Sequence, residues 1–331
     1  MILHPAVIAN VVASLIISGV LIYAGYYGVQ ILRKWDLQSG HEGQLILERR
    51  TYLISTILTF AFGLELMSLF LYVFTANNLC PLFVGAMCAA GTLNVNPYGY
   101  PTLVLKIASF LLAGLWLILN HADNQAYDYP LIKKKYLLLA SIVPFSVGET
   151  SLQGAFFLNL KANVITSCCG SLFSSEQVKG VGSELAALPI IPMMWMFYLG
   201  MGVTMLIGVY FYLRNKGGYL YSLLTFAMFG VSLAAIISFI SVYIYELPTH
   251  HCPFCIVMEE YGYIGYLLYL PLFGAAVTGM GVGVLLPFRR VESLREVLPR
   301  LIKKLTLMSL TLYFAFTAIV IYKIATSNLV L

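Results

Sequence analysis

The sequence predicts an all-α, polytopic membrane protein formed by a single integral membrane domain, residues 1–331. Hydrophobic residues make up 60% of the chain and charged residues only 10%, whereas a soluble domain carries about 25% charged residues. Eight mainly apolar runs are each about 20 residues long or longer, which is enough to cross the hydrocarbon core of a bilayer. Basic residues cluster in alternate connections between these runs, a charge pattern typical of membrane proteins.

The eight apolar runs define the predicted transmembrane helices. These span residues 5–32, 51–75, 102–120, 137–160, 188–213, 219–246, 261–287 and 305–326. The first run has no basic residue before it and no evident cleavage site, so we predict a retained helix rather than a signal peptide.

The basic residues assign each connection to one side of the membrane. Fifteen of the 19 Lys and Arg residues lie within 33–50, 133–135, 214–216 and 289–304. The positive-inside rule places these connections in the cytoplasm, so both termini are expected to face outward. The net charge of +5 then reflects loop asymmetry and does not indicate nucleic-acid binding. The expected location is a prokaryotic cytoplasmic (inner) membrane, with the lipid bilayer as the main partner.

The cysteines all lie in connections that are predicted to face outward. The three outer loops, 76–101, 161–187 and 247–260, each hold one pair: Cys80 and Cys88, Cys168 and Cys169, Cys252 and Cys255. The outer side of a bacterial-type membrane is where disulfides form and persist. This distribution indicates thiol–disulfide chemistry or structural disulfides, and metal binding is the competing interpretation.

The outer loops also suggest an internal repeat of helix–Cys loop–helix units. Glu65 and Glu149 each lie in a helix that precedes a cysteine loop, and GMGV occurs at 200–203 and 279–282, each time in the helix after such a loop. Repeats are common in membrane folds. Glycine motifs in membrane helices also serve close helix packing, which is the alternative.

The segment THHCPFC could support haem attachment, metal binding or disulfide chemistry. Covalent haem attachment requires a histidine directly after the second cysteine, and Ile256 stands there, so no haem is expected. His250, His251, Cys252 and Cys255 offer ligands suited to zinc or copper. Consecutive side chains do not readily converge on one ion. We therefore predict no metal and keep this set of four as the alternative.

A redox-active disulfide is the third interpretation of this segment. A Cys-x-x-Cys at the start of a helix places its thiols near unpaired N–H groups and the positive end of the helix dipole, which favour the reactive thiolate. Pro253 suits a first helical turn, where its missing N–H costs nothing. The sequence thus predicts a labile Cys252–Cys255 bond at the outer end of the seventh helix. The longer loops 76–101 and 161–187 are expected to swing toward water.

Two cysteine motifs resemble those of membrane thiol oxidoreductases. CPFCI is similar to the active-site motif of the vitamin K epoxide reductase family and of the bacterial quinone-linked disulfide-forming enzymes. CPLFVGAMCAAGTLNVNPYGYPTLVL, with seven residues between Cys80 and Cys88, is similar to the loop that carries that family's shuttle cysteines. The resemblance implies a relay in which an extracytoplasmic thioredoxin-like protein reduces the Cys80/Cys88 pair. That pair would reduce the Cys252/Cys255 pair, which would pass electrons to a membrane quinone.

The chain departs from the family pattern in three respects. The family core has four helices, and eight are predicted here. Cys168 and Cys169 form a further pair, so either upstream loop, or both in series, could be the shuttle; a bond between adjacent cysteines would be strained and reducible. Glu259 and Glu260 follow the second motif, where the quinone-linked enzymes often carry a basic residue.

Two glutamates lie within predicted helices. A carboxyl group in hydrocarbon is costly and usually faces a cavity or a partner. Because quinone reduction consumes protons, Glu65 and Glu149 are candidate proton-handling residues. The alternatives are a neutral acid that hydrogen-bonds between helices, or an ion pair with Lys106.

The predicted function is a membrane thiol–disulfide oxidoreductase that relays electrons between outer-loop cysteine pairs and a quinone. The alternative is a non-enzymatic membrane subunit, or a protein that handles or transports soft metals such as copper. One group of methionines would suit copper(I), although methionines at helical spacing are also ordinary packing residues. This group comprises Met193, Met194, Met196, Met201 and Met205.

Overall fold

A computed structural model describes residues 3–36, 41–161, 166 and 188–329 of the chain. Within these ranges the backbone is mainly helical and contains no strand, and seven helices are long and apolar enough to cross a membrane. The prediction of an all-α, polytopic integral membrane protein is therefore confirmed. Cys168 and Cys169 lie outside the described residues.

The helices follow the predicted apolar runs. They are α1 (Pro5–Lys34), α2 (Glu42–Leu79), α3 (Ala89–Leu93), α4 (Gly99–Asp123), α5 (Ile132–Leu158), α6 (Ile190–Arg214), α7 (Gly218–Ala235), α8 (Ser241–Tyr245), α9 (Ile264–Leu285) and α10 (Val297–Thr326). A π-helical turn, Ile236–Ile240, joins α7 to α8, and together they form one candidate span. Short 3₁₀ turns occupy Cys80–Leu82, Cys255–Val257, Glu259–Tyr261, Leu286–Arg290 and Glu292–Leu294.

The predicted span 137–160 corresponds to α5, which ends at Leu158 and is not among the seven helices that are long and apolar enough to cross a membrane. Polar residues within α5 lower its hydropathy, and several of them bind α1. Ser18 Oγ lies 2.9 Å from Ser146 Oγ, and Gln153 Nε2 donates to the Asn10 carbonyl at 3.0 Å. Hydrogen bonds between polar groups are a means by which membrane helices associate. The polarity of α5 thus serves its packing against α1.

The described helices divide into two compact units. The first comprises Met1–Tyr72, Asn96–Leu160 and Pro287–Leu301. Its apolar core surrounds Trp116, whose ring centroid lies 4.9 Å from that of Phe62. The indole Nε1 of Trp116 donates to the Lys135 carbonyl at 3.1 Å, so this buried ring is fixed by a hydrogen bond as well as by apolar packing.

A buried ion pair lies in the first unit, between α4 and α5. Lys135 Nζ is 2.8 Å from Asp123 Oδ2, and both side chains are at most 1% exposed. Lys135 also donates to Asn120 Oδ1 at 3.0 Å, and Asp123 Oδ1 accepts from the Leu131 backbone N–H at 2.8 Å. The sequence indicated only a cytoplasmic basic run at 133–135, so this pair was not predicted.

The second unit comprises Val73–Val95, Lys161–Leu286 and Ile302–Leu331. Glycines allow its helices to approach closely. A Cβ at Gly279 would lie 2.5 Å from Thr225 Cγ2, and one at Gly200 would lie 2.6 Å from Met228 Sδ. Both GMGV segments therefore serve helix packing, as small residues commonly do in membrane proteins. The internal repeat stays a prediction.

Candidate cysteine site

Three cysteines meet in the second unit. They come from the two sequence motifs that resemble those of membrane thiol oxidoreductases. The Sγ atoms of Cys88, Cys252 and Cys255 all lie within 4.8 Å of one another, and the three residues are 0%, 0% and 6% exposed. Cys88 Sγ is 3.5 Å from Cys252 Sγ, across 164 residues of sequence. A disulfide has an S–S length near 2.05 Å, so these two sulfur atoms are in contact without being bonded. The fold thus places the loop cysteine against the Cys-x-x-Cys motif.

Cys80 lies in the same loop as Cys88 but outside the group of three. It is buried and begins the 3₁₀ turn Cys80–Leu82 directly after α2, with its carbonyl accepting from the Phe83 N–H at 3.1 Å. The contact with the motif that the structure shows is the one from Cys88 Sγ to Cys252 Sγ.

The loop that carries Cys88 is buried and fixed by hydrogen bonds. Cys88 is the N-cap residue of α3, and all five residues of α3 are buried. Thr166 holds both sides of the loop: its Oγ1 donates to the Gly91 carbonyl at 2.9 Å, and its N–H donates to the Val84 carbonyl at 3.0 Å. Cys88 therefore lies inside the unit in this structure, and the swing of the loop toward water stays a prediction. Small residues let α3 pack inside the unit; a Cβ at Gly91 would lie 2.8 Å from Ala86.

The Cys-x-x-Cys motif does not begin the seventh long helix, contrary to the sequence prediction. Cys255 opens the 3₁₀ turn Cys255–Val257, and α9 begins only at Ile264. Gly262 and Tyr263 have φ values of +62° and +56°, which interrupt helical geometry between the turn and α9. The argument from the helix dipole therefore does not apply to this motif.

Two tyrosines hold the backbone of the motif. Tyr245 Oη, from α8, donates to the Cys252 carbonyl at 2.5 Å, and Tyr269 Oη, from α9, donates to the Pro253 carbonyl at 2.7 Å. The sequence alone assigned no role to either tyrosine. The only signal available was the density of tyrosines on either side of the motif. These bonds fix the motif's backbone beside Cys88.

The two histidines do not join the thiol group. His251 Nδ1 lies 3.0 Å from the Ile237 carbonyl in the π-helical turn, and the His250 ring packs edge-on to Tyr245 at 4.4 Å. Burial lowers the pKa of His250, although the nearby Cys88 acts in the opposite direction. Of the predicted alternative metal set, the structure thus keeps Cys252 and Cys255 together and adds Cys88 in place of the histidines.

The methionines of α6 point in different directions. Met193 and Met201 are buried, whereas Met196 is 50% exposed. Because these side chains do not share one face, they provide packing contacts and lipid-facing surface rather than one common set of ligands.

Gly265 leaves room for the turn that carries Cys255. A Cβ there would lie 2.5 Å from Val257 Cγ1 and 3.0 Å from the Ile256 carbonyl carbon. We expect Gly265→Ala to displace this turn and to lower the free energy of unfolding by about 1–3 kcal/mol. Thermal unfolding in detergent measures the effect. Gly230→Ala is the matched control, because a Cβ there meets no atom within 4 Å; equal melting temperatures for the two variants would contradict the expectation.

The candidate proton-handling residues lie in the first unit. Glu149 Oε1 is 2.7 Å from Lys106 Nζ, and both side chains are buried. The ion pair with Lys106, one of the alternatives for these acids, is therefore what the structure shows for Glu149. Proton handling itself stays a prediction.

Comparisons of the chain with protein-family models, with curated proteins and with solved structures find no match. The resemblance to vitamin K epoxide reductases therefore stays a prediction. The geometry adds one independent observation to it: the two short motifs, which are far apart in sequence, meet at Cys88 and Cys252.

Proposed function

We propose that the protein is a membrane thiol–disulfide oxidoreductase in which Cys88 and Cys252 exchange disulfides. The observation that carries this proposal is the 3.5 Å contact between their Sγ atoms. Thiol–disulfide exchange proceeds by attack of a thiolate on a disulfide sulfur. From this contact, a displacement of about 1.5 Å reaches bonding distance.

The relay consists of two exchange steps. In the first, the Cys88 thiolate attacks Cys252 Sγ of a Cys252–Cys255 disulfide; the Cys88–Cys252 bond forms, and Cys255 leaves as a thiolate. In the second, the Cys80 thiolate attacks Cys88 Sγ; the Cys80–Cys88 bond forms, and Cys252 leaves as a thiolate. Each step forms one S–S bond and breaks one, and two electrons pass from the loop pair to the motif pair.

The surroundings favour this exchange over side reactions. Cys88 and Cys252 are fully buried, so bulky soluble thiols are kept away from the mixed disulfide. Tyr245 and Tyr269 bind backbone carbonyls of the motif, which fixes the chain while the sulfur atoms rotate. Because Cys88 contacts Cys252, we assign Cys252 as the attacked sulfur and Cys255 as the leaving group.

A membrane quinone is the proposed electron acceptor. The hydroxyl groups of Tyr245 and Tyr269 already donate to backbone carbonyls of the motif. We therefore assign Tyr261 as the residue that would donate to a quinone carbonyl. Its ring packs against Tyr245 at 4.6 Å, and burial raises the pKa of its phenol, which keeps it a proton donor. A quinone bound there would accept the two electrons of the reduced motif.

The proposed partner and orientation follow from the loop charges. We place the cysteine loops on the outer side of a prokaryotic inner membrane, because 15 of 19 basic residues lie in the opposite connections. A thioredoxin-like protein on that side would reduce the Cys80/Cys88 pair after the loop swings toward water, because both cysteines are buried where Cys88 contacts the motif. Cys168 and Cys169, outside the described residues, remain candidates for a step between this partner and the relay.

Trapping the mixed disulfide tests the relay. Cys80→Ser combined with Cys255→Ser removes both thiols that can resolve the mixed disulfide, so a Cys88–Cys252 bond is expected to accumulate under mild oxidation. Peptide mapping after non-reducing electrophoresis identifies the bond. Cys252→Ser is the control and should give no bond between Cys88 and position 252. If the double variant gives no bond between Cys88 and Cys252, the proposed relay is wrong.

Soft-metal binding is the second candidate function, and the same three sulfur atoms favour it. Three thiolates within 4.8 Å suit zinc, with a fourth ligand, or copper(I). Elemental analysis of the purified protein separates the two proposals. The relay predicts no stoichiometric metal; about one zinc or copper per chain, lost in Cys88→Ser, would support the metal site instead.

A further inference from the structure

Three charged side chains form a buried group in the first unit, which contains none of the described cysteines. Glu65, Lys106 and Glu149 come from α2, α4 and α5 and are at most 3% exposed. Lys106 Nζ lies 2.7 Å from Glu149 Oε1 and donates to Ser68 Oγ at 3.2 Å. The lysine is therefore held by α2 and α5 at once.

Glu65 completes the group beside this ion pair. Its carboxyl group interacts directly with that of Glu149. Glu65 Oε1 and Glu149 Oε2 are both buried, and within the described part of the chain neither receives a hydrogen bond. A buried acceptor without a donor is costly. The two carboxyl groups are thus next to each other, and each has an oxygen atom that lacks a proton donor.

The charges of this group do not balance when every member is ionised. Two carboxylates and one ammonium give a net charge of −1. Among the described residues, Tyr72 also packs here; its ring lies 5.6 Å from Lys106 Nζ, and its Oη donates to the Gly99 carbonyl at 3.1 Å. The neighbouring residues of α1, Asn10, Ser14 and Ser18, are polar but uncharged. An uncompensated charge in such surroundings is strongly disfavoured.

One proton corrects both the charge and the hydrogen bonding. Placed on a carboxyl group, it makes the group neutral and converts one oxygen atom into a donor toward the neighbouring carboxylate. Lys106 Nζ forms an ion pair with Glu149 Oε1, so the ammonium group balances the charge of that carboxylate. Among the described residues no ion pair joins Lys106 to Glu65, so we place the proton on Glu65.

We propose that Glu65, Glu149 and Lys106 form a reversible proton-binding site, in which Glu65 carries the exchangeable proton and Lys106 is the fixed counter-charge. This function goes beyond the thiol relay and does not depend on it. The first unit would then bind a proton within the membrane domain.

Hydroxyl groups lie near the site on α5. Ser146, Glu149 and Gln153 are spaced three or four residues apart, so they share one face of the helix, and Thr150 follows Ser146 by four residues. Ser18 Oγ, from α1, lies 2.9 Å from Ser146 Oγ and 2.5 Å from Thr150 Oγ1. A hydroxyl group can donate and accept at the same time. The contact between α1 and α5 thus holds linked hydroxyl groups on the side of α5 that carries Glu149.

Infrared spectroscopy of the purified protein in lipid nanodiscs tests the site, because a protonated carboxyl group has its own C=O stretching band. In the wild-type protein we expect this band at neutral pH and its loss as the pH rises. Glu65→Gln is expected to remove the band, while Glu296→Gln, at an exposed position, should leave it unchanged. Cys88→Ser should also retain it, because the site is independent of the cysteines.

A second variant covers the case in which Glu65→Gln does not fold. Lys106→Met removes the counter-charge, so both carboxyl groups should become protonated and the band should increase about twofold. A band that is missing from the wild-type protein, persists in Glu65→Gln, or does not change with pH would overturn the proposal. Loss of the band on adding sodium at constant pH would also overturn it, since the site would then bind a metal cation.

Discussion

Cys252→Ser is expected to abolish electron transfer through the cysteine site, with a loss on the order of 10³-fold or more in rate. Cys252 belongs to both proposed disulfides, the one with Cys255 and the one with Cys88, and a serine hydroxyl can form neither. The measurement is the rate at which membranes containing the protein oxidise dithiothreitol in the presence of a soluble quinone.

The control for this loss of rate is the thermal stability of the Cys252→Ser variant. Serine differs from cysteine by one atom, and Cys252 makes its backbone contact to Tyr245 through its carbonyl, which the substitution keeps. Cys252→Ser should therefore retain the melting temperature of the wild-type protein within a few degrees. An inactive variant that still folds would support the relay. A fully active variant would contradict it, and the cysteines would then be structural or metal-binding residues.

Asp123→Ala is expected to destabilise the first unit by about 3 kcal/mol or more. The substitution leaves the Lys135 ammonium buried without its carboxylate at 2.8 Å and removes the acceptor of the Leu131 N–H. A cavity of about 220 Å³ borders Lys135. Water that enters this cavity would solvate part of the unpaired Lys135 charge, so the destabilisation should stay close to about 3 kcal/mol. Chemical unfolding in one detergent measures the change.

A double variant separates the charge from the packing. Asp123→Ala combined with Lys135→Met removes both charges, and we expect it to recover most of the lost stability, because the cost in the single variant comes from an unpaired buried charge. If the double variant is as unstable as Asp123→Ala, the carboxylate acts mainly through its hydrogen bond to Leu131, and the assigned role of the ion pair is wrong.

Hydropathy and charge predicted the helices because each span must satisfy the same condition, about 20 apolar residues across the bilayer. They were least accurate for α5, where Glu149 and Gln153 serve neighbouring helices rather than lipid. The sequence alone also could not show that Lys135 is buried, because three consecutive lysines appear as one cytoplasmic run until Asp123 is placed beside the third.

The cysteine site was predicted in part. The resemblance to a known family implied that the Cys80 loop serves the Cys-x-x-Cys motif, and the structure adds that Cys88 is the member in contact. The position of the motif relative to α9 was wrong, because left-handed backbone at Gly262 and Tyr263 ends the helix before it reaches Cys255. Tyr245 and Tyr269 were missed because their role depends on where their hydroxyl groups point, which residue type does not reveal.

The π-helical turn Ile236–Ile240 holds one residue more than a regular α-helix needs over the same stretch. Because the turn absorbs this residue, deleting one of its five residues would restore α-helical geometry and leave the following segment, Ser241–Tyr245, facing nearly the same way. Tyr245 would then still reach the Cys252 carbonyl. In related chains that keep the cysteines, a single-residue gap at this position would thus be compatible with the support that Tyr245 gives the motif.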